Sequence, residues 1–303
     1  MTMLIRSVSR AATLLFALLL TNSAAAADAA VRHVQSALVL DVATRAVLYA
    51  HREHERIDPA SLVKMMVTLL AMERIERGEL SLDDPYTVSA AASRIGGHQI
   101  YLKHREEFPL RDLLKSVVIA SANDAAFAVA EHIAGSQEAF VSLMNSRAQQ
   151  LGMRNTRFAN AHGLPPNRRK GQQANYTTAH DLALLATALM KYPQVRAWAA
   201  TRLESVRGGS FQLLNTNQRF LQGFAGADGF KTGYHPRGAG FSVVATATRE
   251  GRSLLAVVLG APSGRARLTA ATQLLELGFA DKLRMPSMTA AAASSLPDTT
   301  GTH

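Results

Sequence analysis

The chain has 303 residues, 48% of them hydrophobic, with 33 Lys and Arg against 23 Asp and Glu and a net charge of +10. That length supports one large domain or two smaller ones, and without a single cysteine the chain has neither disulfides nor thiolate metal sites. The positive balance suits anionic surroundings such as cell-wall polymer or a lipid surface, and the lack of a basic helix face or aromatic–basic interleaving argues against nucleic acid.

Arg6 and Arg10 precede an apolar run at residues 11–20, and residues 21–27 are small and Ala-rich. This is the order of a secretory signal, and the apolar stretch is short for a membrane span. Residues 1–27 are therefore expected to be removed, with cleavage near Ala26 or Ala27. Loss of the two arginines lowers the charge from +10 to +8. The mature protein is expected to be secreted, periplasmic or cell-wall associated.

Residues 36–42 (SALVLDV) and 45–50 (RAVLYA) read as an antiparallel hairpin. From Ala60 the apolar period becomes helical in SLVKMMVTLLAMERIERG, with Asp58-Pro59 at the start and Gly78 at the stop. Further helices are predicted over 110–121, 124–135, 136–151 and 178–191, the last capped by Thr178 and closed before Pro193. Between them a Gly/Pro/Asn loop at 162–175 carries the solvated run Arg168-Arg169-Lys170. Strand periodicity returns at 238–249 and 253–260 around the turn Glu250-Gly251-Arg252, and a final helix is predicted over 265–277. With strands at both ends and helices between, the fold class is α+β: one antiparallel sheet shared by the termini, with a mainly helical insertion at about 61–224. Residues 28–280 form the folded unit, and the small, polar residues 281–303 read as a disordered tail.

Three short motifs carry the chemistry. In Ser61-Leu62-Val63-Lys64 the hydroxyl and the amine share one helix face at i and i+3. A serine hydroxyl attacks only when something takes its proton, and a lysine can do so if burial and a neighbouring cation lower its pKa. Ser121-Ala122-Asn123 lies at a junction between helices, where Ser121 could relay a proton and the Asn123 amide could bind a peptide group. Lys231-Thr232-Gly233 precedes the strand predicted from residue 238 and offers a cation, a hydroxyl and a residue without Cβ on one edge. Such an edge seats a peptide ending in carboxylate. Taken singly, each motif is also explained by helix packing, capping or a turn; their order and spacing together set the chain apart.

These three elements recur in penicillin-binding proteins and class A β-lactamases. The wider stretches DPASLVKMM, SANDAAFAVAEHIAG, LGMRNTRFANAHGLP, TAHDLALLATALM and GADGFKTGY resemble the D-alanyl-D-alanine carboxypeptidase branch, over about residues 36–279. The resemblance implies a five-stranded antiparallel sheet of the β-lactamase/transpeptidase type flanked by helices. It also implies Ser61 as acylated nucleophile, Lys64 as general base and Ser121 as proton relay. Asn123, Lys231, Thr232, Gly233 and Tyr234 would bind substrate, with an oxyanion site between the backbone N–H groups of Ser61 and Tyr234. Arg265 would lie near the substrate carboxylate. No cofactor or metal is implied; the partners would be peptidoglycan stem peptides, with β-lactam antibiotics as covalent inhibitors.

The chain departs from the family's pattern in three places. Ala122 stands where glycine is frequent, Tyr234 takes a slot that often holds histidine, with His235 one place later, and no C-terminal β domain or amphipathic membrane anchor is apparent after Phe279. A single catalytic unit, soluble once exported, is the resulting expectation. A class A β-lactamase needs a carboxylate to activate its deacylating water, and residues 160–217 offer only Asp181 and Glu204. The closer rival is a DD-endopeptidase that cuts cross-links with the same residues; a non-catalytic wall-binding module is the alternative of another class. His51 and His54 are spaced i, i+3 with no glutamate completing a zinc pattern, and His132, His162 and His180 read as capping, surface or core groups.

Overall fold

A computed structural model describes residues 25–283 except residue 237. The expected signal segment up to residue 24 and the expected tail from residue 284 lie outside the described residues. Residues 25–31 are helical (α1) and lead into the hairpin β1 (Ser36–Asp41) and β2 (Val47–His51). A 3-10 turn at Ala60–Val63 opens α2 (Lys64–Glu76). The short strands β3 (Pro85–Thr87) and β4 (Glu107–Pro109) bracket a loop ahead of α3 (Leu110–Val118), α4 (Asn123–Ala134) and α5 (Gln137–Gln150). Then come α6 (Ala179–Leu189), α7 (Pro193–Ala200), a hairpin of β5 (Leu203–Val206) and β6 (Phe211–Leu214), and α8 (Gln218–Gly223). β7 (Ala227–His235), β8 (Gly240–Arg249), β9 (Arg252–Ala261) and α9 (Gly264–Phe279) complete the described chain.

The main sheet runs β2-β1-β9-β8-β7 with every neighbouring pair antiparallel, so the chain's two ends build one sheet as expected. Its strands read as almost continuous apolar runs because both faces are covered. Leu38, Leu40, Val244, Leu255, Val257 and Leu259 face the core shared with α2, α3, α4 and α6. Ala37, Val39, Ala245, Leu254, Ala256 and Val258 face the other way, onto Ala270, Ala271, Leu274 and Leu275 of α9. The alternation is the period-2 signature of a strand, and each fully buried aliphatic side chain stabilises by roughly 1.5–3 kcal/mol. The boundary expected at residue 27 falls inside α1, whose Ala27 and Val31 are buried in this second core. Among the described residues no helix is long and apolar enough to cross a membrane.

Two expectations need correction. Lys231-Thr232-Gly233 does not precede a strand; it lies inside β7, where Lys231, Thr232 and Gly233 pair with Val244, Val243 and Ser242 of β8. Asp228, Gly229 and Gly233 interrupt the apolar pattern there, so hydropathy alone does not mark a strand. The helix expected to open around Ser61 also starts later, with Ala60–Val63 forming a 3-10 turn and α2 beginning at Lys64; a helix not marked in the sequence, α7, has Pro193 in its first turn, where its missing N–H costs nothing. Leu255→Ala removes a fully buried side chain at the centre of the sheet. It should lower the unfolding free energy by about 2–5 kcal/mol in urea titration; a loss below about 1 kcal/mol would contradict the packing described.

Candidate active site

Ser61 sits in the 3-10 turn, and Lys64 is the first residue of α2. In 3-10 geometry residues i and i+3 eclipse one another, which brings Lys64 Nζ to 2.8 Å from Ser61 Oγ. Asp58 holds the entry to this turn, its Oδ1 accepting the Ala60 N–H at 2.8 Å. Ala60 itself has φ +46°, a left-handed conformation that costs a non-glycine residue energy and persists only when its surroundings enforce it. The enforcement comes from two glycines. A Cβ on Gly163 would overlap Ala60 O, and one on Gly233 would lie 2.7 Å from Pro59 O. The 162–164 loop and strand β7 thus close on the serine turn from two sides.

Lys64 has no exposed surface. Its Nζ donates to Asn123 Oδ1 and His162 O, both at 2.7 Å. The Asn123 orientation is set independently, because its Nδ2 donates to Gly96 O at 2.8 Å. Burial holds the Lys64 amine well below its ordinary range; Lys231 pushes in the same direction and Asp124 against it. Burial also pushes Lys231 down to about 7, with Arg267 contributing. His162, read from sequence as a capping, surface or core group, instead walls the site. Its ring stacks on Phe127 with centroids 6.5 Å apart, and its Nδ1 accepts the Leu164 N–H. Burial and the nearby Lys64 push its pKa down to about 4, so the ring is neutral.

Ser121 turns the chain between α3 and α4 with φ +61°. This puts its side chain in the same cleft as Ser61, Asn123 and Thr232, a cavity of about 400 Å³. Asp124 ties the far wall down by accepting from Ile100 N and Leu102 N, and Gly97 and His98 of that loop line the cleft. On the opposite wall Thr232 donates to Thr216 Oγ1 at 2.7 Å, and Tyr234 is 52% exposed with its ring stacked on Phe241 at 4.1 Å. Thr216, which no sequence motif marked, is placed by its bond to the Ile119 carbonyl.

Arg265 does not meet the cleft; it is exposed on α9, whereas Arg267 lines the cavity. Two positions along a helix turn the side chain by about 200°, so an arginine expected at the right place in sequence faces away and its neighbour faces in. Arg267 donates to Ser242 O and lies over the Phe241 ring; burial pulls its guanidinium down to about 10. Neither carboxylate weighed from sequence reaches the site. Asp181 accepts from Asn155 N and Thr156 Oγ1, and Glu204 pairs with Lys115. Among the described residues no carboxylate lines the cleft. Gly163→Ala would press its new methyl on the Ala60 carbonyl and strain a residue at φ +79°. An ångström of displacement at the serine turn is worth about a hundredfold in rate, so penicillin acylation should slow by about that factor while the far-ultraviolet circular dichroism stays unchanged; an unchanged rate would show that the glycine is not what holds the turn.

The geometry has clear counterparts. A family model described as D-alanyl-D-alanine carboxypeptidase matches residues 22–263. The D-alanyl-D-alanine carboxypeptidase DacF of Bacillus subtilis is 37% identical over 248 residues, covering 81% of this chain and 62% of the relative. DacC of Escherichia coli is 35% identical, covering 80% and 60%. The crystal structure of penicillin-binding protein D2 from Listeria monocytogenes in its ampicillin-bound form superposes with a TM-score of 0.73 at 29% identity, covering 82% of this chain and 98% of that one. The chain thus spans about three fifths of the length of the curated relatives it matches. Matched along most of its length and built around the serine–lysine pair that sequence and fold both lead to, the chain belongs to the D-alanyl-D-alanine carboxypeptidase family.

Proposed function

We propose that the protein is a serine D-alanyl-D-alanine carboxypeptidase that removes the terminal D-Ala of peptidoglycan stem peptides and is acylated by β-lactams. The observation that carries this reading is the Lys64 amine. A protonated lysine has three N–H donors and no acceptor, and three acceptors surround it: Ser61 Oγ, Asn123 Oδ1 and His162 O. Once neutral, the amine keeps two N–H groups and gains a lone pair. The amide and peptide oxygens can only accept, so they retain the two N–H groups. The lone pair then faces Ser61 Oγ and can take its proton.

The reaction follows from that arrangement. The Ser61 proton passes to Lys64 Nζ while Ser61 Oγ bonds to the carbonyl carbon of the penultimate D-Ala. The developing oxyanion takes N–H donors from Ser61 and Tyr234. The C–N bond breaks, and the leaving D-Ala amine receives a proton through Ser121, which lines the same cleft. Water then cleaves the ester and releases the shortened stem. Strand β7, which holds Lys231, Thr232 and Gly233 at the sheet edge, would pair with the substrate, while Thr232, Asn123 and, in place of Arg265, Arg267 line the cleft and would supply a hydroxyl, an amide and a guanidinium for the terminal carboxylate. With no carboxylate among the described residues lining the cleft to activate water, a penicilloyl ester should persist rather than turn over.

The relatives' carboxypeptidase names favour terminal trimming over cutting of cross-links. Action outside the cytoplasm follows from the substrate and from the charge order of residues 1–27. After exposure to a penicillin, intact-protein mass spectrometry should find one adduct on the peptide containing Ser61, lost completely in Ser61→Ala. Products from a pentapeptide and from a cross-linked dimer then separate the two peptidase readings: release of D-Ala from the pentapeptide alone is expected, and cleavage of the dimer alone would reverse the assignment. Acylation needs the neutral Lys64 amine, whose pKa lies well below the ordinary 10.5. The rate should therefore rise with pH and level off where an unperturbed lysine is still protonated; a rise continuing to pH above 10.5 would remove Lys64 as the base.

A further inference from the structure

Arg267 and Thr216 belong to two cavities at once. One is the substrate cleft; the other, of about 290 Å³, lies between α8, α9 and the sheet. Its polar lining is Asn215, Thr216, Asn217, Gln218, Arg219 and Arg267, with no Asp or Glu among the described residues. Asn217 is 6% exposed, and its buried Nδ2 has no hydrogen-bond partner. Leaving such a donor unmet is costly, so a buried orphan in a cavity wall points to an acceptor that fills the space. Arg267 adds a second unmet demand. Its hydrogen bond to Ser242 O is long, at 3.3 Å, and no carboxylate lines either cavity among the described residues.

Two guanidinium groups and a buried N–H donor, with no acid nearby, are the chemistry of an anion site. The volume is that of roughly ten waters at about 30 Å³ each, enough for a small oxyanion with part of its hydration. Entry does not require the substrate cleft, because Arg219, Phe220 and Leu268 also line a separate groove of about 650 Å³ reaching Ala26 and Gln273.

We propose that this cavity binds a small oxyanion, a carboxylate or inorganic phosphate, whose occupancy weakens capture of the substrate's terminal carboxylate by drawing on the same Arg267 guanidinium. The coupling rests on the reading of Arg267 given above; the binding does not. An occupant shares the guanidinium's donors and repels a second anion across it, while Ser61 and Lys64 are untouched. It should therefore raise KM and leave kcat unchanged.

Isothermal titration calorimetry of the full chain, at constant ionic strength and without substrate, tests the site directly. Inorganic phosphate and acetate should each bind saturably at one site. D-Alanine should bind more weakly than acetate, because its ammonium would meet two guanidinium groups; tighter D-alanine binding would overturn the anion assignment. Asn217→Asp replaces the orphan donor with a carboxylate, and Arg219→Gln removes an exposed cation without threatening the core. Each should weaken phosphate by about tenfold or more, the worth of one charge-assisted bond. No saturable heat, or binding unchanged in both variants, overturns the site. In turnover of a D-Ala-D-Ala peptide, phosphate should raise KM in the parent and much less in Arg219→Gln; binding without a change in KM overturns the coupling. If the chain fails to turn over any such peptide, calorimetry still judges the site, and failure in calorimetry leaves the peptidase reading intact.

Discussion

Burying a lysine amine is costly unless every polar group on it is met, and Lys64 meets that requirement with partners from three separate segments. Ser61 comes from the turn ahead of α2, Asn123 from the first residue of α4, and the His162 carbonyl from the 162–164 loop. None of these segments is adjacent to another in sequence, so the amine acts as the point at which they are brought into register. Each partner is itself fixed by something else. Asn123 is anchored through Gly96 and His98 on the far loop; His162 is held by its neutral ring against Phe127 and by Leu164. Loss of any one contact therefore leaves an unmet donor on Lys64 and a loosened wall.

Close approach follows from the same constraint. The serine turn must sit within a few ångströms of both β7 and the 162–164 loop, and only residues without Cβ allow that at Gly163 and Gly233. The strained backbone at Ala60 and Ser121 is the local cost of pointing both hydroxyls into one cleft. A folded unit can sustain it because the sheet is buried on both faces, by α9 on one side and by α2, α3, α4 and α6 on the other. The rigid scaffold and the strained site are thus parts of one balance.

Much of this was legible in the residues. The i, i+3 pairing of Ser61 and Lys64, the shared sheet, the hairpins β1–β2 and β8–β9 and most of the helices between them follow from period and spacing, whereas α7, the β5–β6 hairpin and α8 were not marked. What was not legible has physical causes. β7 escapes a hydropathy reading because it is the sheet's last strand and carries the polar Asp228, Lys231 and Thr232 along with glycines. Arg265 was expected at the cleft only through the family resemblance, and Arg267, two residues further along α9 and turned by about 200°, is the one that lines it. Thr216 and His162 act from irregular loops, where no periodicity reports which way a side chain or carbonyl turns. The two-residue slip on α9 matters most, since it separates an exposed arginine from one that lines the cleft.

The buried lysines also tie the stability of the fold to pH. Lys231 is pushed down to about 7 from 10.5. Between those two values the unfolded chain binds the proton and the folded chain does not, so stability contributed by this group rises as pH climbs from about 7 towards 10.5. Lys64, lowered for the same reason, acts with the same sign. Near neutral pH the fold therefore carries a penalty for burying Lys64 and Lys231, next to a cleft that Arg267 lines and that none of the described carboxylates lines. Burial, more than the neighbouring cation, lowers the Lys64 amine, so the same burial that costs the fold stability is what would suit that amine to take the Ser61 proton in the proposed reaction.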